Sequence, residues 1–544
     1  MSEEKTPFTK EQLKNFSKDL LIEMVLSMSS QMTEMNKQMA LLTERINVML
    51  GAQYGRRTEK SSEIPHQMEF CFNEAEVLIT DSTKEQLAEP TVEEIVPSPE
   101  NTDTPKQRRA HAKGSREEML KDIPHEEREC SMDQKDLTCE CGGIYKEYGN
   151  GDDTTRLEFT PASFKVITYH IKNYRCSKCG DIKRAPGPAA LFEGSLSTPS
   201  LLAGIMTAKY INAMPFYRLE TAFANNGALI RRQTMARWMI MAAERYFSLL
   251  FDRMKEELLS EEIIHADETT VMVSKDERKA GSKSYMWVYT TEKSAHPVVI
   301  FEYQKTRAAS HPKEFLAGYQ GYLCCDGYEA YHILDRNITI CGCWVHARRH
   351  YSNAVKALQD NTERSDELNV SREALRRIGE LFDMDKAYRS LSTDERLEKR
   401  QKELRVKVDE YFEWVRSKVG TVPPKSETGK GLTYSMNQKN YLLACLSTAD
   451  VPLDNSEAER KIRNFVISRK NFVLIDTVNG ANASAILFSL AETAKANNLR
   501  PYEYFKYLLE EIPVHMDDMI DKFNDHLEKL LPWSENLPAG IRKQ

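Results

Sequence analysis

The stretch Ile263-Ile264-His265-Ala266-Asp267-Glu268-Thr269-Thr270 decides the fold. Apolar residues, two of them β-branched, run directly into an acid, as in a strand that delivers a carboxylate to a sheet. Downstream, Tyr285 to Thr290, Pro297 to Tyr303, Gly321 to Cys325 and Ile338 to Cys343 are further short β-rich runs. Asp326 ends the fourth run, in Tyr322-Leu323-Cys324-Cys325-Asp326-Gly327-Tyr328. Neighbouring strands would bring it to Asp267 across 326 − 267 = 59 residues.

Five strands followed by helices predict a multidomain α/β protein with a ribonuclease-H-like core over residues 260–500. A charged, leucine-rich, helical insertion at about 351–434 separates Asp326 from a third acidic stretch, Leu453-Asp454-Asn455-Ser456-Glu457-Ala458-Glu459-Arg460. The 459 − 326 = 133 intervening residues leave room for it, either as a DNA or subunit clamp or as a buttress for the sheet. Asp454, Glu457 and Glu459 compete for the third position; on a helix Glu459 shares a face with Arg463 and is offset from Glu457. Carboxylates so placed can converge on a pair of hard divalent cations, which prefer oxygen ligands and drive in-line displacement at phosphorus.

A chain of 544 residues holds roughly three or four domains. With 41% hydrophobic and 29% charged residues most of it should fold as a soluble protein. The net charge, 75 − 82 = −7, does not itself advertise nucleic acid, but Lys and Arg gather in local clusters. The start Met1-Ser2-Glu3-Glu4-Lys5 lacks a secretion signal, and no apolar run approaches the roughly 18 residues of a membrane span, so the expectation is cytoplasmic, without membrane. Eleven unevenly scattered cysteines fit reduced thiols and metal ligands better than disulfides.

Leu21, Val25, Met28, Met32, Met35, Met39, Leu42, Ile46 and Met49 alternate steps of four and three, predicting a coiled coil over residues 10–52 and hence a homo-oligomer. Methionine at so many positions specifies the number of strands poorly. Arg56 and Arg57 follow in Tyr54-Gly55-Arg56-Arg57-Thr58-Glu59-Lys60, where they would reach a DNA backbone. Residues 73–106 are acidic and proline-bearing, a flexible linker, and a basic stretch from Lys106 to Arg116 opens the next module.

That module, residues 107–190, carries Cys139-Glu140-Cys141-Gly142-Gly143 and Cys176-Ser177-Lys178-Cys179-Gly180. The pairs read as two knuckles of a DNA-binding zinc ribbon, with Cys139, Cys141, Cys176 and Cys179 as ligands to a structural Zn²⁺. The first pair is Cys-x-Cys, which leaves Cys130 as a substitute for Cys139. Residues 196–256 have helical spacing broken at Asn212-Ala213-Met214-Pro215 and Asn225-Asn226-Gly227. The second break is the outline of a helix-turn-helix, presenting Arg231, Arg232 and Arg237 to DNA with Trp238 and Met239 in the core.

The chain resembles the insertion-sequence-66 family of DDE transposases through His265-Ala266-Asp267-Glu268-Thr269, Cys343-Trp344-Val345-His346-Ala347-Arg348-Arg349 and Asp454-Asn455-Ser456-Glu457-Ala458-Glu459-Arg460. The likeness continues into Arg469-Lys470-Asn471-Phe472 and Ser489-Leu490-Ala491-Glu492-Thr493-Ala494-Lys495-Ala496-Asn497, and covers nearly the whole chain, including the helical tail at 501–544. The Cys-x-Cys knuckle and Ser456-Glu457 depart from the family pattern. The resemblance implies a transposase that binds terminal inverted repeats and cleaves and joins DNA, with Asp267, Asp326 and Glu459 holding two Mg²⁺, or Mn²⁺. It puts His346 and Arg349 near the active site, and with Glu459 in place Arg460, Lys461, Arg463, Arg469 and Lys470 of the same helix-like segment would face DNA phosphates, Arg460 and Lys470 foremost. It also implies small accessory proteins from the same element. A noncatalytic DNA-binding relative and a simple nuclease are the competing readings.

Overall fold

The computed structural model describes residues 16–54, 163–168, 170, 172–175, 182–184, 190–279, 281–358 and 364–543. Arg56, Arg57, the linker at 73–106, the basic stretch after it, and Cys130, Cys139, Cys141, Cys176 and Cys179 lie outside the described residues. Strands β1 (Asn173–Arg175) and β2 (Ile182–Arg184) form an antiparallel ribbon that brackets the second cysteine knuckle in sequence.

The centre of the molecule is a six-stranded mixed sheet. Strand β3 (Ile263–Lys275), β4 (Lys283–Thr291) and β5 (Val299–Gln304) make an antiparallel meander, and β6 (Gly321–Cys325) and β7 (Ile338–Gly342) extend it from the other side of β3, parallel to it. The order is β5-β4-β3-β6-β7, and β8 (Ile475–Thr477) pairs parallel with the far end of β3. All five sequence-predicted strands are present; β3 runs longer than its apolar start, and the three-residue β8 is too short to leave a periodic signal.

Ahead of the sheet, helix α1 (Lys18–Tyr54) stands at the N-terminal end. Helices α2 (Pro199–Met206), α3 (Phe216–Asn225), α4 (Arg232–Ala242) and α5 (Ser248–Ser260) then lead into β3. Thr198 starts α2 by accepting from the Leu201 amide, with Pro199 at the first helical position. Between α3 and α4 the chain turns at Gly227, whose φ of +84° suits a residue without Cβ.

Between β7 and β8 the described residues hold helices and no strand, among them α6 (Trp344–Leu358), α7 (Ser365–Tyr388), α8 (Arg405–Lys418) and α9 (Glu427–Asn437). These helices have their own core of Trp344, Tyr351, Leu375, Ile378, Tyr411 and Phe412, which Cys324 and Cys341 of β6 and β7 join. The helical segment therefore buttresses that edge of the sheet. Arg400, fully buried, ties it to the returning chain: its guanidinium pairs with Asp385 at 2.5 Å and donates to the carbonyls of Cys445, Thr448 and Val451 at 3.1, 2.8 and 2.7 Å.

Helix α10 (Ser456–Phe472) places acids in its first turn and Arg469 and Lys470 in its last, matching the helix dipole. Helix α11 (Val478–Ala496) covers the other edge of the sheet. Ser489 Oγ accepts from the Phe301 amide at 2.7 Å and Thr493 Oγ1 from the Val299 amide at 3.0 Å, while Asn497 donates to the Pro297 carbonyl at 2.7 Å. Three side chains four residues apart thus satisfy the outer backbone of edge strand β5, which would otherwise invite pairing with another chain. Helices α12 (Pro501–His515) and α13 (Ile520–Leu530) pack into the same apolar core as the sheet. Among the described residues no helix is long and apolar enough to cross a membrane.

Candidate active site

The parallel pairing of β3 with β6 sets Ile263 beside Tyr322, Ile264 beside Leu323 and His265 beside Cys324. Two residues on come Asp267, still on β3, and Asp326, one residue past the end of β6, and continuing the same register brings the two close together. Asp267 accepts from the Glu268 amide at 2.8 Å and Asp326 from the Tyr328 amide at 2.9 Å, which fixes one oxygen of each.

Glu459 arrives from the first turn of α10. Its carboxylate accepts from Arg349 at 3.1 Å, and the His346 Nε2 lies 3.6 Å away. Burial, Glu268, Glu459 and Asp326 hold the Asp267 carboxyl well above its ordinary value, and burial raises Glu459 against the pull of Arg349. Burial together with Arg349 and His350 pushes His346 down to about 3, so its contact with Glu459 joins a neutral imidazole to a carboxylate and is not an ion pair. The structure thus brings Asp267, Asp326, Glu459, His346 and Arg349 together. The three carboxylates among them, with Asp267 raised by its acidic neighbours, fit hard divalent cations.

Glu457 faces elsewhere. It pairs with Arg460 and Lys461 and lines a pocket with Thr291, Glu292 and Lys293. Arg463 lies close enough to Glu459 to lower its carboxyl, Arg460 is exposed beside Glu457, and Lys470 is exposed at the end of α10. Arg469 turns inward instead, donating to the Thr270 carbonyl and to the Thr269 hydroxyl at 3.0 Å, so it anchors α10 to β3. Arg231, just before α4, and Arg232 and Arg237 on it are exposed, while Trp238 and Met239 are buried. Those three arginines lie away from the carboxylates in sequence and element, on a separate helical hairpin.

Two sets of residues were not singled out from sequence. The first is a clamp: His265 Nδ1 meets Asn455 Oδ1 at 2.8 Å, Asn455 Nδ2 donates to the Ala266 carbonyl at 2.8 Å, and the Asn455 amide reaches Cys343 Sγ at 3.3 Å. With the Trp344 amide donating to the Leu453 carbonyl at 2.9 Å, these bonds fasten the start of α10 to β3 and to the end of β7. The signal was present, since His265, Cys343 and Asn455 all stand in the quoted motifs. The second is Glu268, which accepts from Arg307 Nε and from the Tyr331 hydroxyl, both at 2.8 Å. Nothing in the sequence marks Arg307, because it lies in the loop after β5 and its partner is 39 residues away on β3.

A mixed α/β protein with an acidic cluster on β3 beside the end of β6, next to a helical buttress, is the class these observations define. The sequence profile of the Transposase IS66 family matches residues 194–483, more than half of the chain, and the chain belongs to that family. The IS66 C-terminal element matches residues 489–533, the zinc-finger binding domain of transposase IS66 residues 136–180, and the profile described as Transposase C of IS166 homeodomain residues 41–128. Among similar proteins of Sinorhizobium fredii (strain NBRC 101917 / NGR234), uncharacterized protein y4qI is 26% identical over 520 residues, 92% of this chain and 89% of its own length. Uncharacterized protein y4hP is 26% identical over 427 residues, 75% of each chain. The family and its domains make this an insertion-sequence transposase with DNA-binding modules, one of them a zinc-binding domain.

Proposed function

We propose that the chain cleaves and joins the ends of its insertion sequence at a metal-dependent site formed by Asp267, Asp326 and Glu459 on a ribonuclease-H-like core. The observation that carries this reading is the convergence of three acids from two adjacent strands and one helix, with mutual repulsion that a divalent cation would relieve. Magnesium or manganese held there would polarise a phosphate and lower the pKa of the attacking hydroxyl. The chain's own residues supply the rest. Arg349 holds the Glu459 carboxylate, the Asn455 clamp fixes the helix that carries it, and the neutral His346 offers a hydrogen bond to DNA or an attacking oxygen. Phosphates would be met by Arg460, Arg463 and Lys470, and by Arg56 and Arg57 beyond the described residues.

In the same reading, α4 would lie on the element ends through Arg231, Arg232 and Arg237, and Cys139, Cys141, Cys176 and Cys179 would close around a structural Zn²⁺. Helix α1 would pair with other copies as a coiled coil: Val25, Met28, Met32, Met35, Met39, Leu42, Ile46 and Met49 are exposed along it, while Glu44 on another face is buried. The protein would act in the cytoplasm, with small accessory proteins of the element as further partners. The test is single-turnover cleavage of terminal-repeat DNA by Glu459→Gln and Glu457→Gln. Loss of cleavage on the order of 10³-fold for the first, and change within about threefold for the second, is expected. The reverse order would displace Glu459 from the site, and cleavage without joined product would make the protein a nuclease.

A further inference from the structure

Glu511 and His515 stand one turn apart on the same face of α12, and α13 turns back so that His526 meets them. One donor atom from each of the three lies within 4.8 Å of the others, and His526 Nε2 is 3.8 Å from a Glu511 oxygen. The two imidazole rings are 3.8 Å apart between centroids. His526 Nε2 is buried and has no hydrogen-bond partner, an arrangement that costs free energy unless something else satisfies the nitrogen. Meanwhile Asp518 accepts from His515 Nδ1 at 2.8 Å, leaving Nε2 as the nitrogen that His515 can offer to a ligand. A carboxylate behind an imidazole in this way is the usual support for a metal-bound histidine.

We infer that Glu511, His515 and His526 form a second metal site, for Zn²⁺ or a similar borderline divalent cation, that pins α12 to α13. Two imidazoles and one carboxylate are a donor set that suits such ions, unlike the all-oxygen cluster around Asp267 or the thiolates of the ribbon. In a tetrahedral zinc site neighbouring donors lie roughly 3.3 Å apart. The 3.8 Å between His526 and Glu511 needs only a small side-chain rotation to reach that spacing. The ion would hold the hairpin that buries Leu527 and Leu530 in the core beneath the sheet. The fourth ligand would be water, since Glu511, His515 and His526 are, as residues, partly open to solvent.

The experiment uses the full-length protein stripped with chelator and then titrated with Co²⁺ or Zn²⁺. Wild type should bind one equivalent more than His526→Gln or Glu511→Gln. That extra cobalt should lack the thiolate charge-transfer absorption that cysteine-bound cobalt gives, and the thiolate signal should persist in both variants. Zn²⁺ should raise the thermal midpoint of wild type by several degrees more than that of either variant. Metal-free melting identical in all three proteins serves as the folding control, and Glu511→Gln carries the comparison if His526→Gln does not fold. Equal metal content and equal Zn²⁺-induced shifts in wild type and the folded variants would overturn the site.

Discussion

Asp267 carries its charge at a cost. Its folded-state pKa is raised by burial and by three neighbouring carboxylates, so the carboxyl contributes most to stability while protonated. That contribution is fully present below the ordinary value of 3.8 and is lost as pH rises through the folded-state value. In chelator, wild type should therefore lose stability as pH climbs above about 3.8, and Asp267→Asn should melt higher than wild type at neutral pH with a flatter profile. Thermal unfolding across pH in chelator measures both; a variant that melts lower would mean that the cluster is not under charge repulsion. Asn455 is the complementary case. It is buried and bridges His265 to the Ala266 carbonyl, so Asn455→Ala should cost about 1–3 kcal/mol by leaving those groups unpaired. It should also lower the cleavage rate roughly 10–100-fold through loss of Glu459 alignment, with DNA affinity unchanged. Denaturant melts and single-turnover rates report the two effects separately.

Among elements, the motif from Ser489 to Asn497 has a physical role that sequence did not disclose. Its hydroxyls and amide seal the edge of β5, so Ser489→Ala with Thr493→Val should destabilise by about 2–4 kcal/mol and promote aggregation, measured by chemical denaturation and light scattering. Removing Arg231, Arg232 and Arg237 together should weaken binding to the element ends and flatten the dependence of log affinity on log salt by about 0.9 for each phosphate no longer neutralised. An unchanged salt slope would remove α4 from the DNA surface. The strands of the sheet were legible as short runs rich in β-branched and aromatic residues bounded by polar turns. The close approach of Asp267 and Asp326 followed from one parallel pairing. Arg307, Arg400 and β8 were not legible, since each acts through a partner fixed only by tertiary packing, and Arg469 looks like a surface cation in sequence although it is anchored to Thr270.

On the scale of the molecule, the meander, the parallel pair and α11 form one apolar core, and the helices after β7 form another that shares Cys324 and Cys341 with the sheet. The acids lie where the two meet: β3 and β6 belong to the sheet, while Arg349, which grips Glu459, comes from the first helix of the buttress. Helix α1 touches that same buttress, with Glu44 pairing with Arg364 at 2.8 Å and accepting from the Glu427 amide at 2.8 Å, so the helix proposed for assembly and the site proposed for chemistry rest on one scaffold. The central claim is that Asp267 belongs to a metal-dependent strand-transfer site. Its most direct test is Mg²⁺-dependent 3′-end cleavage and joining on terminal inverted-repeat DNA, comparing wild type with Asp267→Asn. The account predicts cleaved and joined products from wild type, and a variant that binds the same DNA yet yields neither; cleavage by Asp267→Asn at the wild-type rate would contradict it.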